Sequence, residues 1–478
     1  MMSISLDEWV DSTFAPVTNA VASVIFFSVR WPGTSIDVPL ILIWLLLAGL
    51  FFTINLRFIN ISCLKHSIDI VTGKYDNQKD KGEVSHYQAL AAALSGTLGL
   101  GNIAGVAIAI SSGGPGATLW MIIAGLIGMS SKFAECTLGV KYRNIHADGS
   151  VSGGPMYYLE KGFAQRGFKT TGKVLAVIFA VCCVGGSLGG GNMFQSNQAT
   201  LQMLHVFFSD NAWMKENAWV IGLASALLVG TVIIGGIKSI ASVSQFVVPI
   251  MCGIYILGAL VIIAVNYQLV PSTIMIIMEQ AFYPKAVAGG MLGTLIQGFQ
   301  RASFSNEAGI GSASIAHSAV KTEDPVSEGM VGLLEPFIDT VVVCTVTAFL
   351  VVITGVYQYN IPGGVQMTSL AFETVMPWFP YILTVAVYLF AFATMISWSY
   401  YGSKSWEYLF GDQRWINLTF KGLFCFFTLI GASMKMSNVV LFSDAMIFSM
   451  SLPNIAGLFM MAPEIKKDLK AYLNKLND

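Results

Sequence analysis

Two short stretches hold residue types able to do chemistry inside an otherwise apolar chain. The first is Ser95-Gly-Thr-Leu-Gly-Leu-Gly-Asn-Ile-Ala-Gly105. The second is Arg301-Ala-Ser-Phe-Ser-Asn-Glu-Ala-Gly-Ile-Gly-Ser-Ala-Ser314. Both are rich in glycine and small polar residues, and both interrupt segments apolar enough to cross a bilayer. Glycine removes the steric cost of leaving helical dihedrals. Unwound backbone exposes amides and carbonyls, which hydrocarbon tolerates only where protein buries them or a wet cavity receives them. A matched pair of interrupted spans in the two halves of a chain points to a substrate site between them.

In the first stretch the amides of Leu100 and Gly101 suit a carboxylate, helped by the positive end of a half-helix. The carbonyls of Ser95 and Leu98 and the side-chain oxygen of Asn102 suit a hard cation. Gly101-x-x-x-Gly105 also fits plain helix packing, but the matching break at Gly309-Ile310-Gly311 favours unwinding. In the second stretch Ser303, Ser305 and Asn306 are placed to line a cavity, and Phe304 to cap an apolar side chain. Arg301 and Glu307 are ionisable at membrane depth. They are expected to lock the break as an ion pair, or Arg301 to close an outer gate.

Further along, Asn192, Gln195 and Gln198 recur every three residues and share one helix face. That face suits a zwitterion or interhelical hydrogen bonds. Thr394 and Ser397 lie one turn apart and offer oxygens to Na⁺, and Trp398 can wall a small pocket. Glu335 and Asp339 place two carboxylates on one helical face near the cytoplasmic end, with Lys132 and Glu135 at similar depth. Such groups form an inner gate, a proton relay or a buried ion-pair network. The histidines at 66, 86, 146, 205 and 317 pair with no nucleophile motif or metal partner, and the cysteines show no metal-type spacing. The chain is therefore not expected to be an enzyme, and no cofactor is expected.

Composition states what must position these groups. The chain has 478 residues, 55% hydrophobic and 11% charged, where soluble domains run at roughly 25% charged. It reads as an all-α integral membrane protein within a lipid bilayer. A net charge of −1 gives no electrostatic footprint for nucleic acid. Gly73-Lys74 is followed by Tyr75 and Gly172-Lys173 by Val174, so the phosphate-cradling loop of ATP-driven machines is absent and any transport would run on a gradient.

At about 20 apolar residues per span, eleven transmembrane helices are expected, near 37–57, 86–111, 116–140, 174–206, 218–237, 241–268, 289–317, 329–356, 380–403, 417–433 and 437–463. The stretch 358–378, with Pro362-Gly-Gly364, reads as re-entrant or interfacial. Residues 1–30 form an amphipathic N-terminal segment: Leu6, Val10, Phe14, Val17, Val21 and Val24 recur at helical steps against Asp7, Glu8 and Asp11. If the first span runs inward, most of the 26 Lys and Arg fall on one side, from Arg57 to Lys79, through Lys141 and Lys173, to Lys466 and Lys475. Arg30, Lys215, Lys285 and Lys435 fall on the other. This asymmetry sets the N-terminus outside and the C-terminus in the cytoplasm. A transmembrane domain over 31–464 then comprises an extra helix at 37–57, repeat one at 86–268 and repeat two at 289–463. A basic cytoplasmic tail at 465–478 follows. The interrupted spans are the first and sixth of ten, giving a five-plus-five inverted repeat with discontinuous first and sixth core helices.

Several motifs in order carry a resemblance: Gly99-Leu-Gly-Asn-Ile-Ala-Gly-Val106, Gly113-Gly-Pro-Gly-Ala-Thr-Leu-Trp-Met121, Phe304-Ser-Asn-Glu-Ala-Gly-Ile-Gly-Ser-Ala313, Leu334-Glu-Pro-Phe-Ile-Asp-Thr340 and Trp398-Ser-Tyr-Tyr-Gly402. Over about 37–463 the chain resembles the alanine or glycine:cation symporter family. The resemblance implies Na⁺- or H⁺-coupled uptake of a small neutral amino acid on a fold similar to the neurotransmitter:sodium symporters, in a plasma membrane such as a bacterial inner membrane. By this likeness the amides of Leu100 and Gly101 hold the carboxylate, with Thr97, Gly99, Gln195, Phe304, Ser305, Thr394 and Trp398 around the substrate. Ser95, Leu98, Asn102, Thr394 and Ser397 lie near sodium, and Arg301, Glu307, Glu335 and Asp339 serve as gates. Ala393 precedes Thr394 where related transporters carry two adjacent hydroxyls. The residues also leave open a proton-coupled carrier of another substrate such as glutamine or serine, or a channel or sensor on the same fold.

Overall fold

A computed structural model describes residues 6–32, 36–75, 80–283, 289–359, 361 and 363–477. Lys79, Lys285 and Pro362 and the first residues of the N-terminal segment lie outside these. The described chain is mostly helical, with two short antiparallel strand pairs at Ser28–Arg30/Asp37–Pro39 and Asn144–Ile145/Val151–Ser152. In chain order the helices that matter here are α1 (Leu6–Ile25), α2 (Leu40–Asn55), α3 (His86–Thr97), α4 (Gly101–Gly113), α5 (Ala117–Lys141) and α6 (Lys169–Phe207). They continue with α7 (Trp219–Ile233), α8 (Gly236–Val265), α9 (Val270–Phe282), α10 (Gly290–Asn306), α11 (Ala313–His317) and α12 (Pro325–Ile353). The last are α13 (Val365–Glu373), α14 (Phe379–Phe410), α15 (Arg414–Ser433) and α16 (Met436–Asn477).

Among the described residues seven helices are long and apolar enough to cross a membrane, or eight if the bent pair α3–α4 counts as one span. The sequence expectation was eleven, and the difference has a physical origin. α2 and α7 are apolar but only 16 and 15 residues long, and α10 stops at the second break. The exterior is itself apolar: Leu227, Phe246, Leu257 and Met275 are each more than 60% exposed. Water would not leave such a band uncovered, whereas lipid would.

Two features stand at the edges. α16 runs unbroken for 42 residues to Asn477, so the stretch 465–478 is helical and continues the last span. The 358–378 stretch contains α13, nine residues long, with Val365, Met367, Ala371 and Phe372 buried. The N-terminal segment is helical and packs on α15 and α16, where Phe14 meets the Phe427 ring edge-on at 6.0 Å. Val17 and Val24 of its expected apolar face stay exposed.

Close approaches between helices rest on glycine. Cβ on Gly116 would lie 2.2 Å from the Gln280 carbonyl carbon and 2.3 Å from the Ala281 amide nitrogen of α9, and backbone cannot swing aside as a side chain can. Gly116→Ala is expected to destabilise the protein by about 1–3 kcal/mol, the range for overpacking. A lowered Tm in detergent checks this, and an unchanged Tm would show that α9 is not seated on α5.

Candidate substrate and cation site

The first break begins where α3 ends. Ser85 starts that helix with a capping box: its Oγ accepts from the Gln88 amide at 3.2 Å, and Gln88 Oε1 accepts from the Ser85 amide at 3.2 Å. Leu98 then leaves helical dihedrals, with φ −72° and ψ 73°. α3 and α4 are bent by 52°, and α4 opens with a π turn at Gly101–Gly105. The amides freed here are met by neutral side chains. Gly99 donates to Asn102 Oδ1 at 3.1 Å and to the Thr97 carbonyl at 2.8 Å, and Leu100 donates to Gln195 Oε1 at 2.9 Å. Gln195 Nε2 donates in turn to the Gly190 carbonyl at 2.9 Å. The Leu100 amide expected to receive a carboxylate is thus capped by Gln195, so a carboxylate arriving there must displace it.

The second break follows α10. Glu307, Gly309 and Gly311 all have positive φ, at 55°, 85° and 93°. Asn306 Oδ1 accepts from the Ala308 amide at 3.0 Å, and Asn454 Nδ2 donates to the Gly309 carbonyl at 2.9 Å. Glu307 is a non-glycine residue in the left-handed region, which normally costs energy. Its carboxylate is fixed by the Trp398 indole at 3.0 Å and by a short hydrogen bond from Ser312.

The two breaks meet. Cβ on Gly101 would touch Ser305 and Phe304 at 3.4–3.6 Å. Cβ on Gly99 would lie 2.5 Å from Thr394 Oγ1 and 2.9 Å from Gln195 Oε1. Thr394 Oγ1 is buried and has no hydrogen-bond partner among the described residues. Phe304 stands edge-on to Phe194 at 5.1 Å, and Trp398 closes against Gly191. Gly99, Leu100, Gln195 and Thr394 thus meet at one place and Gly101, Phe304 and Ser305 at the contact between the breaks, while the Trp398 indole is turned to Glu307. Thr97 bonds back along its own helix, to the Ala93 carbonyl at 3.4 Å.

The cation candidates divide. Ser95 Oγ donates to the Ala393 carbonyl at 2.8 Å and Ser397 Oγ to the Ala92 carbonyl at 3.1 Å, so α3 and α14 are pinned at the level of Leu98 and Thr394. Asn102 belongs elsewhere. Its Oδ1 caps Gly99, and its Nδ2 donates to Asp339 Oδ1 at 2.6 Å. Ser305 Oγ donates to Asp339 Oδ2 at 2.9 Å and Thr340 Oγ1 to the same oxygen at 2.7 Å. Cys344 Sγ lies 3.3 Å from Asn102 Nδ2 and 3.4 Å from Ser305 Oγ. Asp339 is fully buried, and the partners described for it are neutral.

Several expectations are corrected here. Asp339 and Glu335 do not share one face: Asp339 sits at the junction of the breaks. Glu335 instead faces Lys132 at 3.6 Å and His317 at 3.5 Å. The cause is the π turn Phe337–Cys344, which alters the spacing assumed for a regular helix. Arg301 and Glu307 make no pair. Arg301 pairs with Asp444 of α16, with Gln300 donating to the same carboxylate at 2.9 Å, and its guanidinium carbon lies 5.3 Å over the Phe304 ring. The amide face also splits. Asn192 donates to the Phe424 carbonyl at 2.6 Å, and Gln198 accepts from the Val365 amide at 3.2 Å, leaving Gln195 alone at the site. His86 and His317 both bond Glu328, and His317, expected to have no metal-ligand partner, lies with Cys136 and Glu335 in a possible ligand triad. Asp444 was missed. The signal was available, since it is ionisable within an apolar span.

A helical, apolar-clad chain whose two broken helices meet at a buried polar junction has the form of a secondary transporter. The MhsT crystal structure, in complex with L-phenylalanine, shares the fold: TM-score 0.54, 14% identity, covering 82% of this chain and 99% of that one. Residues 26–478 match the sodium:alanine symporter family. The sodium/alanine symporter AgcS of Methanococcus maripaludis is 37% identical over 440 residues, 91% of this chain and 94% of AgcS. GlnT of Bacillus subtilis, described as a "Probable sodium/glutamine symporter", is 32% identical over 435 residues, 91% of this chain and 87% of GlnT. The chain belongs to the sodium:alanine symporter family: it is a multi-pass, cation-coupled amino-acid symporter, not an enzyme.

Gly99→Ala drives a methyl into Thr394 and Gln195 within a packed junction. It is expected to abolish substrate binding at a stability cost of about 1–3 kcal/mol. Scintillation proximity binding on folded protein checks this, and wild-type affinity would refute the placement.

Proposed function

We propose that this chain carries alanine, glycine or a similar small neutral amino acid into the cell together with Na⁺ by alternating access. The observation that carries the reading is the convergence of the Leu100 amide, Gln195 and the Thr394 hydroxyl on one point, next to the contact of Gly101 with Ser305 and Phe304. A carboxylate would take the Leu100 and Gly101 amides and release Gln195. The cramped surroundings of Gly99 favour a small side chain. Na⁺ would take the carbonyls of Ser95 and Leu98 with the hydroxyls of Thr394 and Ser397. Asp339, held by Asn102 and Ser305, adds a formal negative charge that a second cation would neutralise.

In the same reading the chain has eleven spans: an extra helix and a five-plus-five inverted repeat, with α3–α4 and α10–α11 as its first and sixth core helices. Residues 31–464 form the transport domain, flanked by the amphipathic segment at 1–30 and the basic tail at 465–478. The N-terminus is outside and the C-terminus cytoplasmic, in a plasma membrane such as a bacterial inner membrane. Arg301 with Asp444 is the outer gate, and Glu335 with Lys132 part of the inner one. Proton coupling is the second reading, and Asp339 favours it, because a carboxyl with neutral partners can carry a proton.

Labelled alanine uptake into proteoliposomes under a Na⁺ or an H⁺ gradient separates the two; no uptake under either would overturn both. Asn102→Ala and Gln195→Ala are expected to weaken substrate binding. Asp339→Asn keeps the shape and removes the charge. An interaction with a charged group is worth roughly 1.5–3 kcal/mol, so apparent Na⁺ affinity is expected to fall by about tenfold or more. An unchanged Na⁺ dependence would leave the carbonyl site as the sole ion site.

A further inference from the structure

A second cluster of chemistry-bearing side chains lies on the C-terminal-tail side of the breaks, outside the transport site. Cys136 of α5, His317 of α11 and Glu335 of α12 are all buried, and their ligand atoms lie within 4.8 Å of one another. The three come from separate helices, 199 residues apart in sequence at the widest, between Cys136 and Glu335. The histidine is oriented as a metal ligand normally is: His317 Nδ1 bonds Glu328 Oε1 at 2.5 Å, which leaves Nε2 as the free donor pair. His317 Nε2 and both oxygens of Glu335 are buried with no hydrogen-bond partner among the described residues. Glu328 is braced from its other side by a short bond to His86.

Charge argues in the same direction. Four buried carboxylates, of Glu135, Glu307, Glu328 and Glu335, face one buried ammonium, of Lys132, and the two histidines. The Lys132 ammonium stands 3.6 Å from Glu335 and makes no hydrogen bond among the described residues. Arg143, nearest at the rim, is occupied by the carbonyls of Lys81, Ser318, Val320 and Thr322. An uncompensated set of buried carboxylates is costly, and a bound cation offsets it.

We propose that Cys136, His317 and Glu335 form a binding site for a transition-metal dication of the Zn²⁺ type, which clamps α5, α11 and α12 together. The donor set selects the metal. Sulfur and imidazole suit Zn²⁺, whereas Na⁺ and Mg²⁺ want oxygen. Bonds of about 2.0–2.3 Å set tetrahedral ligand atoms roughly 3.3–3.8 Å apart, so the triad needs a modest contraction and water supplies the fourth position. Binding replaces the thiol S–H bond by S–Zn and releases that proton. Lys132 moves off Glu335 as the metal enters. Because α11 follows the second break directly, the clamp holds the tail side of the transport path closed.

The test uses the full chain, purified in detergent and stripped with chelator. Zn²⁺ alone is titrated calorimetrically, and Co²⁺ serves as a spectroscopic probe of the unaltered protein. The expected result is saturable uptake of about one Zn²⁺ per chain and a thiolate-to-cobalt charge-transfer band. Cys136→Ser is expected to remove the band and weaken Zn²⁺ by tenfold or more, on the order of a lost ligand. Glu328→Gln, which loosens the backing of His317, is expected to weaken it about 10–100-fold. Absence of saturable binding in the unaltered chain, or a cobalt spectrum without the sulfur band, overturns the proposal. Should Cys136→Ser fail to fold, the cobalt spectrum decides. None of these readouts depends on transport, so they stand apart from the question of which amino acid or ion is carried.

Discussion

The structure depends on the satisfaction of backbone groups that two helices give up in the middle of a bilayer. An amide or carbonyl left bare in hydrocarbon costs several kcal/mol, so each break must be met from neighbouring elements. The groups that meet them are mainly neutral amides: Asn102 and Gln195 at the first break, Asn306 and Asn454 at the second. Neutral caps have a consequence for function. A zwitterion or a cation can replace a neutral amide without leaving a naked charge behind, whereas a charged cap would have to be neutralised when displaced. The position of α6, which supplies Gln195, and of α16, which supplies Asn454, follows from this requirement.

The two interrupted spans are also tied to each other. Val84, just before α3, forms a parallel bridge with Val320, just after α11, and the Glu83 amide donates to the Ala319 carbonyl at 2.7 Å. Arg143 seals the same place by donating to four carbonyls, and Glu328 links His86 of α3 to His317 of α11. At the opposite end the constraint is of another kind, a buried pair between Arg301 and Asp444 with Gln300 on the same carboxylate. One end joins the broken helices to each other through backbone; the other joins one of them to α16 through side chains. Movement that opens one end need not disturb the bonds at the other.

Much of this was legible in the residues, and the illegible part has a common cause. Gly99–Gly101 and Gly309–Gly311 announce the breaks because glycine is what a left-handed or unwound backbone demands, and the apolar composition announces the bilayer. Side-chain partnership was read from helical phase, and phase failed wherever a π turn intervened. The turn at Phe337–Cys344 sends Asp339 to the breaks and Glu335 to Lys132. The turn at Gly189–Met193 sends Asn192 to α15 and keeps Gln195 at the site. Pairings across long loops were equally closed to inspection: Arg301 and Asp444 lie 143 residues apart. His317 and Cys136 come together only because α11 packs on α5.

The buried ionic groups pose an energetic question that bears on transport. Desolvating a buried ion pair consumes most of what its attraction returns, so closed pairs contribute little net stability against their hydrated forms. In a static core that would be a weakness. In a protein that must visit two conformations it is an asset, because a strongly stabilising contact in one state would trap the molecule there. On the proposed gating, Arg301–Asp444 and Lys132–Glu335 would each gain water as its end opens. The loss of the pair is then offset by hydration of both ions. Two states that differ by little in energy can be biased by the binding of one small solute and one cation, since a ligand shifts an equilibrium only by its differential affinity for the two states.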